Sequence, residues 1–181
     1  MRHGETAWSL SGQHTGSTDL PLTAEGERKA VALGEALAGK QFAAVFVSPM
    51  TRAKETCRLA GYAADAIVTD DLCEWNYGSY EGLTSPEIQK SAPGWTIWTA
   101  TPPGGETIQQ VAERARRVIH SAPGGDVAIF GHGHMLRVLT ACWLETGPEM
   151  GRCFALSTGS ISVLGHERET PVIQRWNQVT F

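Results

Sequence analysis

Two short apolar runs, residues 43–47 and 126–130, limit the fold more than any other feature of the sequence. Val, Ile and Phe follow one another there without polar alternation, the pattern of strands covered on both faces. A shorter strand is read at residues 66–68, and stretches of helical spacing separate the runs. Strands alternating with helices imply an α/β protein, a three-layer α/β/α arrangement around a largely parallel central sheet. The first helix starts at Thr23, a good N-cap, with Glu25 and Glu27 near its positive end and Gly39 as its stop. Ser48 and Pro49 read as N-cap and first position of the next. From Thr107 onward Ile108, Val111, Ala112, Ala115 and Val118 mark one face of the clearest helix. A further helix leaves the Gly131-His132-Gly133-His134 turn.

The remaining segments are less regular. Residues 1–21 read as a structured polar loop, and 75–105 as an irregular excursion on the substrate side with a short helix after Ser85-Pro86. Three strand-like pieces, 153–156, 161–164 and 172–176, close the chain. No repeat or low-complexity linker interrupts it, so residues 1–181 are read as one domain.

The 181 residues suffice for a sizeable core. Acidic residues outnumber basic ones, 19 to 15, for a formal charge of -4, which argues against nucleic-acid and anionic-membrane partners. The longest apolar run cannot cross a bilayer. Polar residues directly after Met1 leave no signal-peptide core, so the cytoplasm is the expected location. Cys57, Cys73, Cys142 and Cys153 match neither a zinc spacing nor a C-x-x-C pair and are read as four buried thiols.

Ligands of parallel sheets gather beyond the carboxyl ends of the strands, and several unusual polar residues fall there. Arg52 lies in the opening turn of its helix, where the macrodipole disfavours a cation by roughly 0.3–1 kcal/mol unless an anion sits between them. It is either a surface arginine or an anion clamp. His132, between two glycines at a strand-to-helix junction, is either a turn histidine or a ligand-facing one, whereas His134 is read as structural. Arg2-His3-Gly4-Glu5 is an anion loop or a polar terminus. Glu74 has Trp75 and Tyr77 beside it, surroundings that can raise a carboxyl pKa enough for proton donation; otherwise it is a loop carboxylate. No H-E-x-x-H and no P-loop occurs, and two arginines repel a divalent cation, so no metal and no cofactor is expected.

Taken in order, Arg2-His3-Gly4-Glu5-Thr6, Leu22-Thr23-Ala24-Glu25-Gly26, Ser48-Pro49-Met50-Thr51-Arg52-Ala53, Glu74 with Tyr77-Gly78-Ser79-Tyr80-Glu81-Gly82, Pro103-Gly104-Gly105-Glu106-Thr107 and Gly131-His132-Gly133 resemble the histidine phosphatase superfamily, the phosphoglycerate-mutase-like group. The resemblance implies that fold, and His3 as the nucleophile that accepts a phosphoryl group. It implies Arg2, Arg52 and His132 as the groups around that phosphoryl, and Glu74 as the general acid. Glu5, Thr6, Ser9, Thr15 and Gly16 would border the phosphate pocket, with Gly133 beside it and Glu106 near the distal end of the substrate. Ser9 departs from the Asn that many mutase-like members carry.

Only 31 residues separate Glu74 from Glu106, which resembles the compact phosphatase branch. The implied activity is metal-independent hydrolysis of a small phosphorylated metabolite, a sugar phosphate or bisphosphate among them, through a phosphohistidine. The alternatives are a cofactor-dependent phosphoglycerate mutase, a protein-phosphohistidine phosphatase and a non-catalytic phosphate-binding module. A homodimer is left open. Trp75, Trp95 and Trp98 either flank the pocket or form a satellite core. The family places an apolar strand before its R-H-G segment; here only Met1 precedes Arg2, which predicts an unfilled place in the sheet and an insecurely held His3.

Overall fold

The computed structural model describes residues 1–179. Its central sheet is parallel in the order β2–β1–β3, formed by β1 (Ala44–Val47), β2 (Ala66–Val68) and β3 (Val127–Phe130). Val45 stands between Ala66 and Ala128 across that sheet. Alternation along β1 divides the interior into two cores. Val45 and Val47 pack with Leu33 of α2 (Ala24–Leu37) and Ala53 and Cys57 of α3 (Thr51–Leu59). Phe46 faces the other way, into a larger core with α5 (Ile108–Ser121), α6 (Gly133–Trp143) and the 75–105 excursion. β2 is the exposed edge, with Ile67 and Val68 about half open to solvent.

Met1 to His3 lie along the far edge of β3. Gly131 N–H donates to Met1 O and His3 N–H to Gly131 O, both at 3.0 Å. On the outer side Arg2 N–H donates to Ser160 O at 3.2 Å, at the start of β4 (Ser160–Glu167), which pairs antiparallel with β5 (Thr170–Val179). The unfilled place expected in the sheet is a cavity of about 560 Å³ beside Met1, with Val127, Ile129, Ile161 and Val163 among its walls. His3 itself is not loose, because hydrogen bonds bind the segment on both sides.

Other differences from the sequence reading have local causes. Residues 1–21 contain a helix, α1 (Ala7–Ser11), set by a capping box in which Thr6 and Ser9 each accept the other's backbone N–H. Five residues are too few to show a helical period. The N-cap of α3 is Met50 rather than Ser48, whose hydroxyl is engaged by His132. The strand expected at 153–156 is absent; a 3₁₀ turn, Pro148–Cys153, runs into it. The short helix of the excursion is α4 (Ser85–Ser91), capped by Thr84. Trp75 and Trp95 are buried in the larger core with Trp98 packed on it, which is the satellite-core arrangement. All four cysteines are free, but only Cys57 is buried and Cys153 is exposed. Among the described residues no helix is long and apolar enough to cross a membrane.

Candidate active site

Three backbone segments converge beyond the carboxyl ends of the strands: Arg2–Gly4, the turn after β1, and the turn from β3 into α6. The approach demands glycine at position 4, where a Cβ would lie 2.2 Å from Gly26 O. Gly4 N–H donates to Thr56 Oγ1 at 2.9 Å, and that hydroxyl donates to Arg52 O at 2.7 Å, so α3 carries the turn.

The buried imidazole of His3 has Nδ1 2.6 Å from Gly4 O. A carbonyl only accepts, so Nδ1 holds the proton and Nε2 keeps its lone pair. Burial, then Arg2 and Arg52, push the His3 pKa well below the usual histidine value and keep the ring neutral. His132 lies 5.1 Å away, centroid to centroid. Its Nδ1 accepts from Arg52 Nε at 3.2 Å, so Nε2 carries the proton and donates to Ser48 Oγ at 2.7 Å. Burial, then His3 and Arg52, lower its pKa strongly too.

Arg52 is fully buried. Its Nη1 donates to Thr18 O at 2.9 Å, and its Nη2 to Gly16 O at 3.0 Å and Thr15 O at 3.3 Å. Glu81 holds that loop from behind, since its Oε1 accepts from Gly16 N–H at 2.8 Å and Thr18 N–H at 2.9 Å. Arg2 donates from Nη1 to Leu156 O, while its Nε is buried with no partner. Gly133 leaves room for it: a Cβ there would stand 3.4 Å from Arg2 Cζ. An unpartnered buried guanidinium N–H is costly unless an acceptor completes it.

Glu74 is oriented by the amides at the start of α6 rather than by an aromatic wall alone. Its Oε1 accepts from Met135 N–H at 2.8 Å and Trp75 N–H at 2.9 Å, and its Oε2 from His134 N–H at 3.0 Å.

A cleft of about 220 Å³ opens over these groups, with Arg2, His3, Ser9, Thr15, Glu74 and Gly133 in its wall. The larger cavity beside Met1 holds neither His3 nor Glu74. Arg52 and His132 are immediately behind His3, in contact with it or its partners but closed to solvent. Four of the expected binding residues stand back from the cleft. Glu5 accepts from Thr23 Oγ1 at 2.9 Å and faces Lys29 at 3.7 Å. Thr6 caps α1, and Gly16 offers only its carbonyl to Arg52. Glu106 is bound by Arg114 Nε and Nη2, both at 2.9 Å, and by Asn76 N–H at 2.9 Å.

The cleft also contains residues that the sequence reading left out. His134, read as structural, has Nδ1 2.6 Å from Tyr77 Oη. Burial raises the Tyr77 pKa well above its usual value, so the phenol keeps its proton and donates it. His134, held neutral by burial, therefore carries its own proton on Nε2. His14 and Arg137 complete the outer wall. The i, i+4 spacing of Gly133 and Arg137 was the available signal, since it places both on one face of α6. Among the described residues no group of three His, Cys, Asp or Glu side chains is arranged to hold a metal ion.

A parallel α/β sheet with a neutral histidine and two arginines gathered at its carboxyl edge defines a phosphoglycerate-mutase-like protein. The family model for the histidine phosphatase superfamily (branch 1) matches residues 1–179, and the chain belongs to that family. It is 40% identical over 173 residues to an acid phosphatase of Mycobacterium tuberculosis, covering 92% of this chain and 85% of the relative. It is 37% identical over 182 residues to the sedoheptulose 1,7-bisphosphatase of Saccharomyces cerevisiae, covering 81% of this chain and 67% of that protein. The crystal structure of an open-reading-frame product of Mycobacterium tuberculosis superposes with a TM-score of 0.93 at 37% identity, covering 99% of this chain and 96% of that one.

Proposed function

We propose that the protein is a phosphoric monoester hydrolase acting on a small phosphorylated metabolite, with His3 as nucleophile. The observation that carries this reading is the 2.6 Å contact from His3 Nδ1 to Gly4 O, which leaves Nε2 as a lone pair on a residue of the cleft wall. Nε2 attacks phosphorus, the P–N bond forms as the P–O bond to the leaving alcohol breaks, and Glu74 in its protonated form gives the departing oxygen its proton. Water then attacks the phosphohistidine, Glu74 takes its proton, and inorganic phosphate leaves with His3 restored.

Charge on the equatorial oxygens is met by Arg2, whose Nε lacks a protein acceptor, and by the field of Arg52 behind it. His132 supports Arg52 and sets its ring against His3. Protein guanidinium groups supply the positive charge, so the reaction as drawn needs no metal. The acid phosphatase and bisphosphatase relatives support hydrolysis. The short segment between Glu74 and Glu106 favours water over a second organic acceptor.

The test is phosphate release from sugar phosphates, phosphoglycerates and p-nitrophenyl phosphate, together with an alkaline quench after mixing with ³²P-labelled substrate. Alkali-stable, acid-labile label on wild-type protein and none on His3→Asn is expected. Equal turnover by His3→Asn, or label on another residue, would overturn the assignment.

A further inference from the structure

Arg137 stands at the outer wall of the cleft and takes no part in the reaction described above. Its guanidinium lies over the Trp98 ring at 4.6 Å, with Nε donating to Gly151 O at 3.0 Å and Nη2 to Arg152 O at 3.1 Å. The aromatic face and two carbonyls fix the fork in place, and Nη1 has no hydrogen-bond partner among the described residues. Such a rigid, half-buried cation is suited to an oxyanion, because the ordering cost has been met before the ligand arrives. His134 adds an Nε2–H to the same wall, oriented by Tyr77.

The spacing limits what can bridge the two sites. Gly133 packs on the Arg2 guanidinium, and Arg137 follows it by four residues on α6. That is one turn of helix, roughly 6 Å along its axis. We propose that Arg137, aided by His134, forms a second anion subsite, and that the preferred substrates are phosphomonoesters of two or three carbons carrying a carboxylate or a second phosphoryl group. This assignment rests on the phosphatase reading for its catalytic readout.

The test compares substrates that differ only in the distal group. One arm sets 3-phosphoglycerate against glycerol 3-phosphate. The other sets propane-1,3-diol bisphosphate against 3-hydroxypropyl phosphate. At least a tenfold higher kcat/KM for the doubly anionic member of one pair is expected, and the arm that shows it identifies the distal group. Arg137→Gln should lower that ratio at least tenfold, and Arg137→Lys, which keeps the charge without the fork, should restore part of it. Because the readout is a ratio, a general loss of activity does not move it. A wild-type ratio near one in both arms, or an unchanged ratio in Arg137→Gln, overturns the subsite.

If none of these substrates, nor p-nitrophenyl phosphate, releases phosphate, the phosphatase reading fails by itself. Calorimetric titration of 3-phosphoglycerate and glycerol 3-phosphate into wild type and the Arg137→Lys variant then decides the subsite. A tenfold difference in wild-type affinity that narrows in the variant supports it, and equal affinities overturn it.

Discussion

The floor and the rim of the cleft are built on different plans. On the floor, Arg52 and His132 are closed to solvent and their polar atoms are bound to one another, to Ser48 and to three carbonyls of the 15–18 loop. On the rim, Arg137 and His134 are fixed on one side by Trp98 and Tyr77 and are open on the other. Every floor residue is bound to another, so the floor tolerates little change. The rim can change its residues without disturbing the histidine below it. Reaction chemistry belongs to the first plan and substrate choice to the second.

Replacing the nucleophile separates the two plans most sharply. His3→Asn should reduce phosphate release at least about a thousandfold while thermal unfolding stays close to wild type, measured by steady-state assay and calorimetry. Comparable turnover would break the division by showing that the floor is not where the reaction occurs. Arg52→Gln should cost stability as well as activity. It leaves the carbonyls of Thr15, Gly16 and Thr18 and the His132 ring without donors, at a cost of about 3–5 kcal/mol in urea unfolding. Glu74→Gln should slow turnover about 100-fold for alkyl phosphates and less for p-nitrophenyl phosphate, whose leaving group needs little protonation.

Acid provides a gentler test. His3, His132 and His134 have pKa values below the ordinary 6.5 in the fold, so the unfolded chain binds more protons than the native one as pH drops. Their contribution to stability is therefore complete above pH 6.5 and declines from there toward the lowered values. Chemical unfolding at pH 7 and pH 5 should show that loss, while the acidic limb of kcat/KM lies below 6.5 because His3 stays neutral. A limb at or above 6.5 would contradict the burial assigned to the floor. The smallest effect belongs to the rim: Trp98→Leu removes the ring under Arg137, worth about 0.5–1 kcal/mol, and should lower selectivity for doubly anionic substrates two- to fivefold.

The same division explains what the sequence revealed. The strands 43–47 and 126–130 were legible because their continuous apolar character reflects cover from both sides, and α5 because Thr107 and Gln110 cap a clear apolar face. His3, Arg52, Glu74 and His132 were legible as ordered motifs. Glu81 appeared within such a motif, but its service to Gly16 and Thr18 depends on contacts with residues more than sixty positions away. No local pattern records that distance. Arg137 was hidden for a related reason: its partners, Trp98 and the carbonyls of Gly151 and Arg152, come from segments with no helical or strand period. Ser48 misled in the opposite direction, because Ser-Pro is a strong capping signal and only the fold shows that His132 claims the hydroxyl.

The place of Met1 to His3 between β3 and β4 has a consequence for biosynthesis. Arg2 is held on one side by Gly131 and on the other by Ser160, so its final position depends on residues translated more than a hundred codons later. During synthesis the amino end must wait, and a polypeptide halted short of β4 lacks the outer rail of that groove. Interrupted translation would therefore yield silent fragments rather than poorly selective ones.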